Sequence, residues 1–166
     1  MTVILGIDPG LQRTGWGIIA SNANHLSFMA CGFIATDSAL AMPVRLKQIN
    51  EGLAAAVSQY KPEESAVEET FVNMNGASTL KLGQARGAIL LTLSLFGLPV
   101  YEYSATQVKK SVVGTGHASK DQIAMMVKTL LPASKAKQAD TADALAIAIC
   151  HAHHRSMNAI TAGAKR

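Results

Sequence analysis

The first 36 residues contain three short apolar runs separated by turn residues. Residues 3–8 (VILGID) and 16–20 (WGIIA) are joined by PGLQRTG, and residues 26–36 (LSFMACGFIAT) follow. Short apolar runs punctuated by Gly and Pro are typical of strands that pair with their neighbours in sequence. We therefore predict an antiparallel three-stranded beginning, a pattern that any three-stranded meander would also produce.

After Pro43 the hydrophobic period changes to that of a helix, which ends before Pro62. Two further strands, 64–70 and 99–105, then alternate with helices over 77–97, after the capping box of Ser119 and Gln122, and over 137–155. Alternation of strand and helix implies parallel crossovers. The prediction is an α/β fold whose mixed five-stranded sheet, three antiparallel strands and then parallel additions, is flanked by helices.

The length of 166 residues fits a single domain. We assign residues 1–156 to that domain and residues 157–166, rich in Ala and Thr, to a loosely ordered C-terminal tail. Charged residues make up only 16% of the chain, below the usual quarter, so part of the surface is expected to be covered, most simply by a second copy. The net charge of +4 suits a polyanionic partner such as nucleic acid.

Neither a leader peptide nor a membrane segment is evident, so we expect a cytoplasmic protein without a membrane partner. Cys31 and Cys150 lack metal-ligand spacing and are interpreted as buried apolar residues. For the C-terminal histidines a polar helix end is favoured over a zinc site. These histidines are His151, His153 and His154.

Four acidic residues occupy positions next to apolar segments. Asp8 ends the first strand and Glu68 lies in a short apolar strand, while Asp140 and Asp143 are three residues apart at the start of a helix and therefore share one face. Simpler explanations exist for some of them, since Asp before Pro-Gly is ordinary turn chemistry and acids in a first helical turn stabilise the helix dipole.

Carboxylates that converge beside apolar segments repel one another and are costly to bury unless a cation holds them. Oxygen ligands of this kind select hard cations, Mg²⁺ or Mn²⁺ as its substitute. Two such ions can catalyse in-line hydrolysis of a phosphodiester, which is the reaction we predict. Glu69 is expected on the opposite face of its strand from Glu68.

Several segments together resemble the RuvC-type crossover junction endodeoxyribonucleases, the bacterial Holliday junction resolvases. They are ILGIDPG with TGWG, VEETF, STLKLGQARG, QVKKSVVG and QADTADALAIAI, and the resemblance covers roughly residues 2–155. It implies a ribonuclease H-like fold, a homodimer, two Mg²⁺ ions per subunit and paired symmetric nicks across a four-way DNA junction, leaving 5′-phosphate and 3′-hydroxyl ends. It also implies the branch-migration complex RuvA-RuvB as a partner.

The same resemblance assigns roles to individual residues. The metal-binding acids of the family correspond to Asp8, Glu68, Asp140 and Asp143. Basic residues near the DNA correspond to Lys109 and Lys120, and an aromatic residue near the junction centre corresponds to Phe71. Solvated charges and a core aromatic are the alternatives for these three. Arg86 is expected to face DNA or a partner, while Gly83 and Gly87 would allow close helix packing, either at a dimer interface or on the chain's own sheet.

His117 stands where the family commonly has a small residue, and its role stays open. Two other functions compete with the nuclease. The segment GIDPGLQRTG also resembles the first phosphate loop of actin-like ATPases and sugar kinases, but such enzymes use two domains of this kind and the chain supplies one. A junction-binding module without catalysis would fit the basic charge, but it would gain nothing from four acids that face DNA phosphates.

Overall fold

The computed structural model describes residues 1–70, 75–134 and 139–163. Five strands form one sheet in the order β3-β2-β1-β4-β5. The strands are β1 (Thr2–Asp8), β2 (Arg13–Asn22), β3 (His25–Ala35), β4 (Glu64–Glu68) and β5 (Val100–Tyr103). The helices are α1 (Met42–Tyr60), α2 (Gly76–Leu95), α3 (Ala105–Val113), α4 (Lys120–Leu130) and α5 (Ala139–Gly163).

The first three strands pair antiparallel, and β4 and β5 are added in parallel at the other side of β1. This confirms the predicted mixed sheet with an antiparallel beginning. The crossover from β3 to β4 runs through α1, and that from β4 to β5 runs through α2. β1 is therefore the central strand, so the residues at its C-terminal end face neighbours on both sides.

Two predictions about the helices were wrong. The sequence predicts no helix between the strand at 99–105 and Ser119, but Ser104 begins α3 with a capping box in which its hydroxyl accepts from the Gln107 backbone amide. The last helix was predicted to end at residue 155, whereas α5 continues to Gly163. The division into a domain and a tail from residue 157 remains a prediction. The capping box of Ser119 and Gln122 is present as predicted and begins α4.

Each face of the sheet has its own hydrophobic core. Residues of α1 and α2 pack on one face, and residues of α3, α4 and α5 pack on the other. α5 approaches the sheet very closely at glycines, because a Cβ on Gly6 would lie 2.1 Å from the Ala144 carbonyl oxygen and a Cβ on Gly15 would lie 2.2 Å from that of Asp140. These two glycines fix the first turns of α5 over the ends of β1 and β2.

The three histidines of α5 all bind groups of this chain. His151 is only 2% exposed, and its ring nitrogens contact the Tyr103 hydroxyl and the Glu64 carboxylate, both at 2.8 Å. His153 Nδ1 lies 3.2 Å from the Ser111 hydroxyl, and His154 Nδ1 lies 2.9 Å from its own helix's Cys150 carbonyl oxygen. His151 thus belongs to a buried polar network rather than to the polar helix end that the sequence favoured.

Within the described ranges, none of the helices is long and apolar enough to cross a membrane.

Candidate active site

Asp8 lies where the central strand ends. It is paired with Gly15 of β2, and its side chain faces α5, because alternate residues of β1 share a face and Gly6 meets α5 directly. The turn that follows is held by the Thr14 hydroxyl, which donates to the Gly10 carbonyl oxygen at 2.7 Å. The turn therefore leads the chain away at once and leaves the carboxylate at the edge of the sheet.

Glu68 ends the neighbouring parallel strand at the same edge. Ile7 of β1 is aligned with Val67 of β4, so Asp8 and Glu68 follow one another across the sheet. Asp143, in the first turns of α5, joins them at a pocket of about 390 Å³. Three of the four predicted acids thus line one cavity.

Asp140, the fourth predicted acid, lies beside this cavity and is not among its lining residues. Its carboxylate forms an ion pair of 2.9 Å with Nε of Arg13, the first residue of β2. The charge of Asp140 still acts on Asp8 and contributes to the rise in the pKa of that carboxyl. Sequence spacing placed Asp140 and Asp143 on one helix face, but the structure gives them different partners.

Two lysines predicted to bind DNA line the same pocket. Lys109 comes from α3, and Lys120 is the first residue of α4. Lys120 Nζ lies 3.8 Å from the Asp143 carboxylate, and its side chain is 80% exposed. The pocket therefore presents carboxylates and ammonium groups side by side, at an edge that solvent reaches.

Burial and mutual repulsion disfavour ionisation of the acids in this pocket. Burial, followed by the negative charges of Glu68, Asp143 and Asp140, raises the pKa of Asp8 to about 7. Burial also raises the pKa of Glu68, as does the charge of Asp143. The pKa of Asp143 is raised mainly by burial, although Lys120 opposes the shift. A metal cation placed among these carboxylates would counteract the rise in all three pKa values.

The donor set of the pocket fits a divalent cation. All the acidic ligands are oxygen donors, which suit Mg²⁺ and Mn²⁺, and their raised pKa values reflect an excess of negative charge. Among the described residues, however, no group of three His, Cys, Asp or Glu side chains is close enough to hold an ion as the structure stands. Carboxylates that repel one another are expected to converge only around a cation.

Arg86 has partners inside the chain. Its guanidinium forms an ion pair with Glu102 of β5 and approaches the Glu68 backbone carbonyl oxygen at 3.5 Å. Its side chain is only 19% exposed. In this structure Arg86 connects the ends of β4 and β5 and so helps to fix the position of Glu68, a role that the sequence did not indicate.

The remaining predicted residues have varied surroundings. Phe71 lies outside the described residues. Glu69 is exposed, and its amide donates to the Tyr103 carbonyl oxygen at 2.9 Å. Gly83 and Gly87 face open space rather than the chain's own sheet. His117 is exposed in the loop before α4.

Sequence reasoning missed Arg13, which contacts the site directly. Besides its pair with Asp140, its guanidinium lies 3.9 Å from the centre of the Phe33 ring. A pattern of alternating faces would place Arg13 on the same side of β2 as Gly15, but only the register with α5 identifies Asp140 as its partner. No motif in the sequence announces this contact.

Comparison with known proteins identifies the family. Residues 4–151 match the family described as "Crossover junction endodeoxyribonuclease RuvC". A protein of that name from Paramagnetospirillum magneticum is 61% identical over 152 residues, which cover 92% of each chain. Another from Gluconobacter oxydans is 55% identical over 166 residues, covering 100% of this chain and 99% of the relative.

The chain belongs to the RuvC family. The prediction of a DNA-cleaving hydrolase from the motifs is thereby confirmed, because this is a family of crossover junction endodeoxyribonucleases. The solved structure titled "T. thermophilus RuvC in complex with Holliday junction substrate" is similar, with a TM-score of 0.89, 34% identity and coverage of 95% of this chain and 97% of that one.

The yeast mitochondrial Holliday junction resolvase Ydc2 has the same fold as this chain, at a TM-score of 0.64 and 11% identity, covering 93% of this chain and 82% of that one. Together with the RuvC structure, this likeness confirms the predicted ribonuclease H-like fold.

Proposed function

We propose that the chain resolves four-way DNA junctions by metal-dependent hydrolysis of phosphodiester bonds, with paired nicks that leave 5′-phosphate and 3′-hydroxyl ends. Family membership supports the junction as substrate. In this proposal the ligands of two Mg²⁺ ions per subunit, for which Mn²⁺ can substitute, are Asp8, Glu68, Asp140 and Asp143.

The observation that carries the proposal is the composition of the pocket. It combines three carboxylates with two lysines at one solvent-accessible edge. Carboxylates suit a cation, and ammonium groups suit the phosphate that must approach it. The lysines alone would suffice for a phosphate-binding site, and the acids beside them are what a metal ion adds to the requirement.

Each group has a part to perform in such a reaction. Asp8 is held by the central strand and its turn, so its carboxylate is placed with little freedom. Lys120 Nζ lies 3.8 Å from the Asp143 carboxylate and its side chain is exposed, so it can reach a phosphate oxygen of bound DNA. Bound divalent ions would supply activation of the attacking water and neutralisation of the charge that develops on the leaving oxygen.

The test is cleavage of a synthetic four-way junction in Mg²⁺, with a linear duplex of the same arm sequence beside it. We expect nicks in the junction, intact duplex, and products that DNA ligase reseals without further treatment. Asp8→Asn should bind the junction and leave it uncut. Glu51→Gln on α1 is the matched control, because it also removes one negative charge but from an exposed ion pair with Lys47, and it should cleave normally.

Three results would count against the proposal. Binding without cleavage by the unaltered chain would favour the junction-binding module. Cleavage that resists EDTA would remove the metal from the mechanism. Retained cleavage by Asp8→Asn would remove Asp8 from the site.

We further propose that the chain acts as a homodimer through α2. Leu80, Leu91 and Leu95 on this helix are 65%, 59% and 73% exposed, and Gly83 and Gly87 leave open space beside them. Exposed leucines at helical spacing favour burial against a partner, and two symmetric nicks need two sites. Leu91→Glu should convert the dimer to a monomer in sedimentation velocity, while Met125→Glu, an equally exposed apolar position on α4, should leave it dimeric.

For the DNA interface we propose Lys109, Lys120, Phe71 and Arg86. Lys109 and Lys120 are supported by their position at the pocket. The proposal for Arg86 comes from the sequence, because in this structure its guanidinium forms an ion pair with Glu102. Family membership supports the branch-migration complex RuvA-RuvB as partner and the cytoplasm as the place of action.

A further inference from the structure

Arg13, at the start of β2, holds the Asp140 carboxylate beside the pocket. The residues Asp8, Gly15 and Arg13 lie on the same face of the sheet, the face that α5 covers, because Asp8 pairs with Gly15 and alternate residues of β2 share a side. The Asp140 backbone sits directly over Gly15. The start of α5 is thereby placed so that the Asp140 carboxylate reaches Arg13.

The guanidinium of Arg13 is held in place by a second contact. Phe33 of β3 pairs with Gly15, so its ring stands on the same face as Arg13, and the guanidinium carbon lies 3.9 Å from the ring centre. A cation–π contact of this kind restricts a long side chain that would otherwise sample many rotamers. Arg13 is thus oriented toward Asp140 by the sheet itself.

We propose that Arg13 is a positioning residue that serves as an internal counter-ion for Asp140 and competes with the divalent cation for that carboxylate. In this structure the Asp140 carboxylate is engaged by Arg13 at 2.9 Å and does not line the pocket that Asp8, Glu68 and Asp143 share. Binding of the cation then requires the Asp140 carboxylate to leave Arg13. This inference rests on the proposed metal site, and it assigns Arg13 a role that lowers affinity for the cation rather than raising it.

The test is the affinity of the metal-free chain for Mn²⁺, measured by isothermal titration calorimetry without DNA. An ion pair whose side chains are 43% and 33% exposed contributes modestly, so Arg13→Gln is expected to tighten Mn²⁺ binding by about three- to tenfold. Lys47→Gln removes the same charge from an exposed helix pair and should leave the affinity within about twofold. Unchanged or weaker binding by Arg13→Gln would overturn the inference.

A double-mutant cycle separates action through Asp140 from a general electrostatic effect. In an Asp140→Asn background, Arg13→Gln should change the Mn²⁺ affinity by less than about twofold, because the competed ligand is gone. An equally large gain in that background would show that Arg13 acts merely as a nearby positive charge. If the unaltered chain binds no Mn²⁺ at a site sensitive to Asp8→Asn, the proposed metal site itself fails, which is a different outcome.

A second variant covers the case in which Arg13→Gln does not fold. Phe33→Leu keeps the charge of Arg13 but removes the ring beneath it, at a position that is 40% exposed and therefore tolerant. It should tighten Mn²⁺ binding by about two- to threefold, since the guanidinium is less well held against Asp140. No change in affinity for Phe33→Leu would contradict the orienting role of the ring.

Discussion

The carboxyl of Asp8 should make the metal-free protein less stable at neutral pH than a variant without it. Its pKa is raised from 3.8 to about 7 by burial and by the neighbouring acids. Below about pH 4 the carboxyl is protonated in both the folded and the unfolded chain, so it costs no stability. As the pH rises toward 7 the unfolded chain releases the proton and the folded chain retains it, so stability is lost through this window.

The size of the effect follows from the shift. Three pKa units correspond to about 4 kcal/mol, and solvent at the edge of the pocket reduces this to about 2–4 kcal/mol. Asp8→Asn removes the penalty while keeping the shape of the side chain. At pH 8 in EDTA we therefore expect the free energy of unfolding of the variant to be about 2–4 kcal/mol higher than that of the unaltered chain. At pH 5 the advantage should be smaller by about 1–3 kcal/mol.

Urea unfolding followed by tryptophan fluorescence measures this directly. Trp16 is the only tryptophan and packs against Tyr60 at a ring separation of 5.8 Å, so its emission reports the folded core. Glu51→Gln, on the exposed surface of α1, should show no comparable gain. The repulsion argument would be refuted if Asp8→Asn did not raise the free energy of unfolding at pH 8, or if it raised it equally at pH 5.

Three further predictions concern the packing of α5 on the sheet, the buried histidine of α5 and a lysine of the pocket. Gly15→Ala should lower the free energy of unfolding by about 1–3 kcal/mol and abolish cleavage, because the new Cβ would lie 2.2 Å from the Asp140 carbonyl oxygen. Gly76→Ala, where a Cβ meets open space, should change neither property. Urea unfolding and junction cleavage measure both variants. His151→Gln should lower the free energy of unfolding by about 1–3 kcal/mol at pH 8. Burial lowers the pKa of His151 from 6.5, so its contribution is lost as the pH falls through that lowered value and the gap in urea unfolding should narrow at pH 5. Lys120→Gln should reduce the slope of log affinity against log salt by about one, measured by anisotropy of a labelled junction in EDTA.

The edge of the sheet that carries the site could be predicted from the sequence for a physical reason. Apolar runs that end on an acid place that acid at the end of a strand. A helical crossover between them makes the strands parallel, which brings their C-terminal ends to one edge. Asp8 and Glu68 are brought together in this way. Their proximity needs no knowledge of side-chain contacts, only of strand direction.

Helix α3 was not predicted because its local signals conflict. Residues 105–113 contain Val108, Val112 and Val113, and these β-branched residues favour a strand. The deciding signal is the capping box of Ser104 and Gln107, which is of the same type as the one recognised before α4. The omission mattered for function, since α3 is the element that carries Lys109 to the pocket.

The partners of the acids depend on contacts between elements that are distant in sequence, and no local pattern encodes them. Helical spacing correctly places Asp140 and Asp143 on one face of α5, but Arg13 of β2 draws the first toward the antiparallel side and Lys120 of α4 contacts the second at the pocket. The two aspartates therefore form ion pairs with different basic side chains, Asp140 with Arg13 and Asp143 with Lys120. Both basic groups offset part of the repulsion among the acids, and under the proposal above Arg13 must release Asp140 before a metal ion can bind that carboxylate.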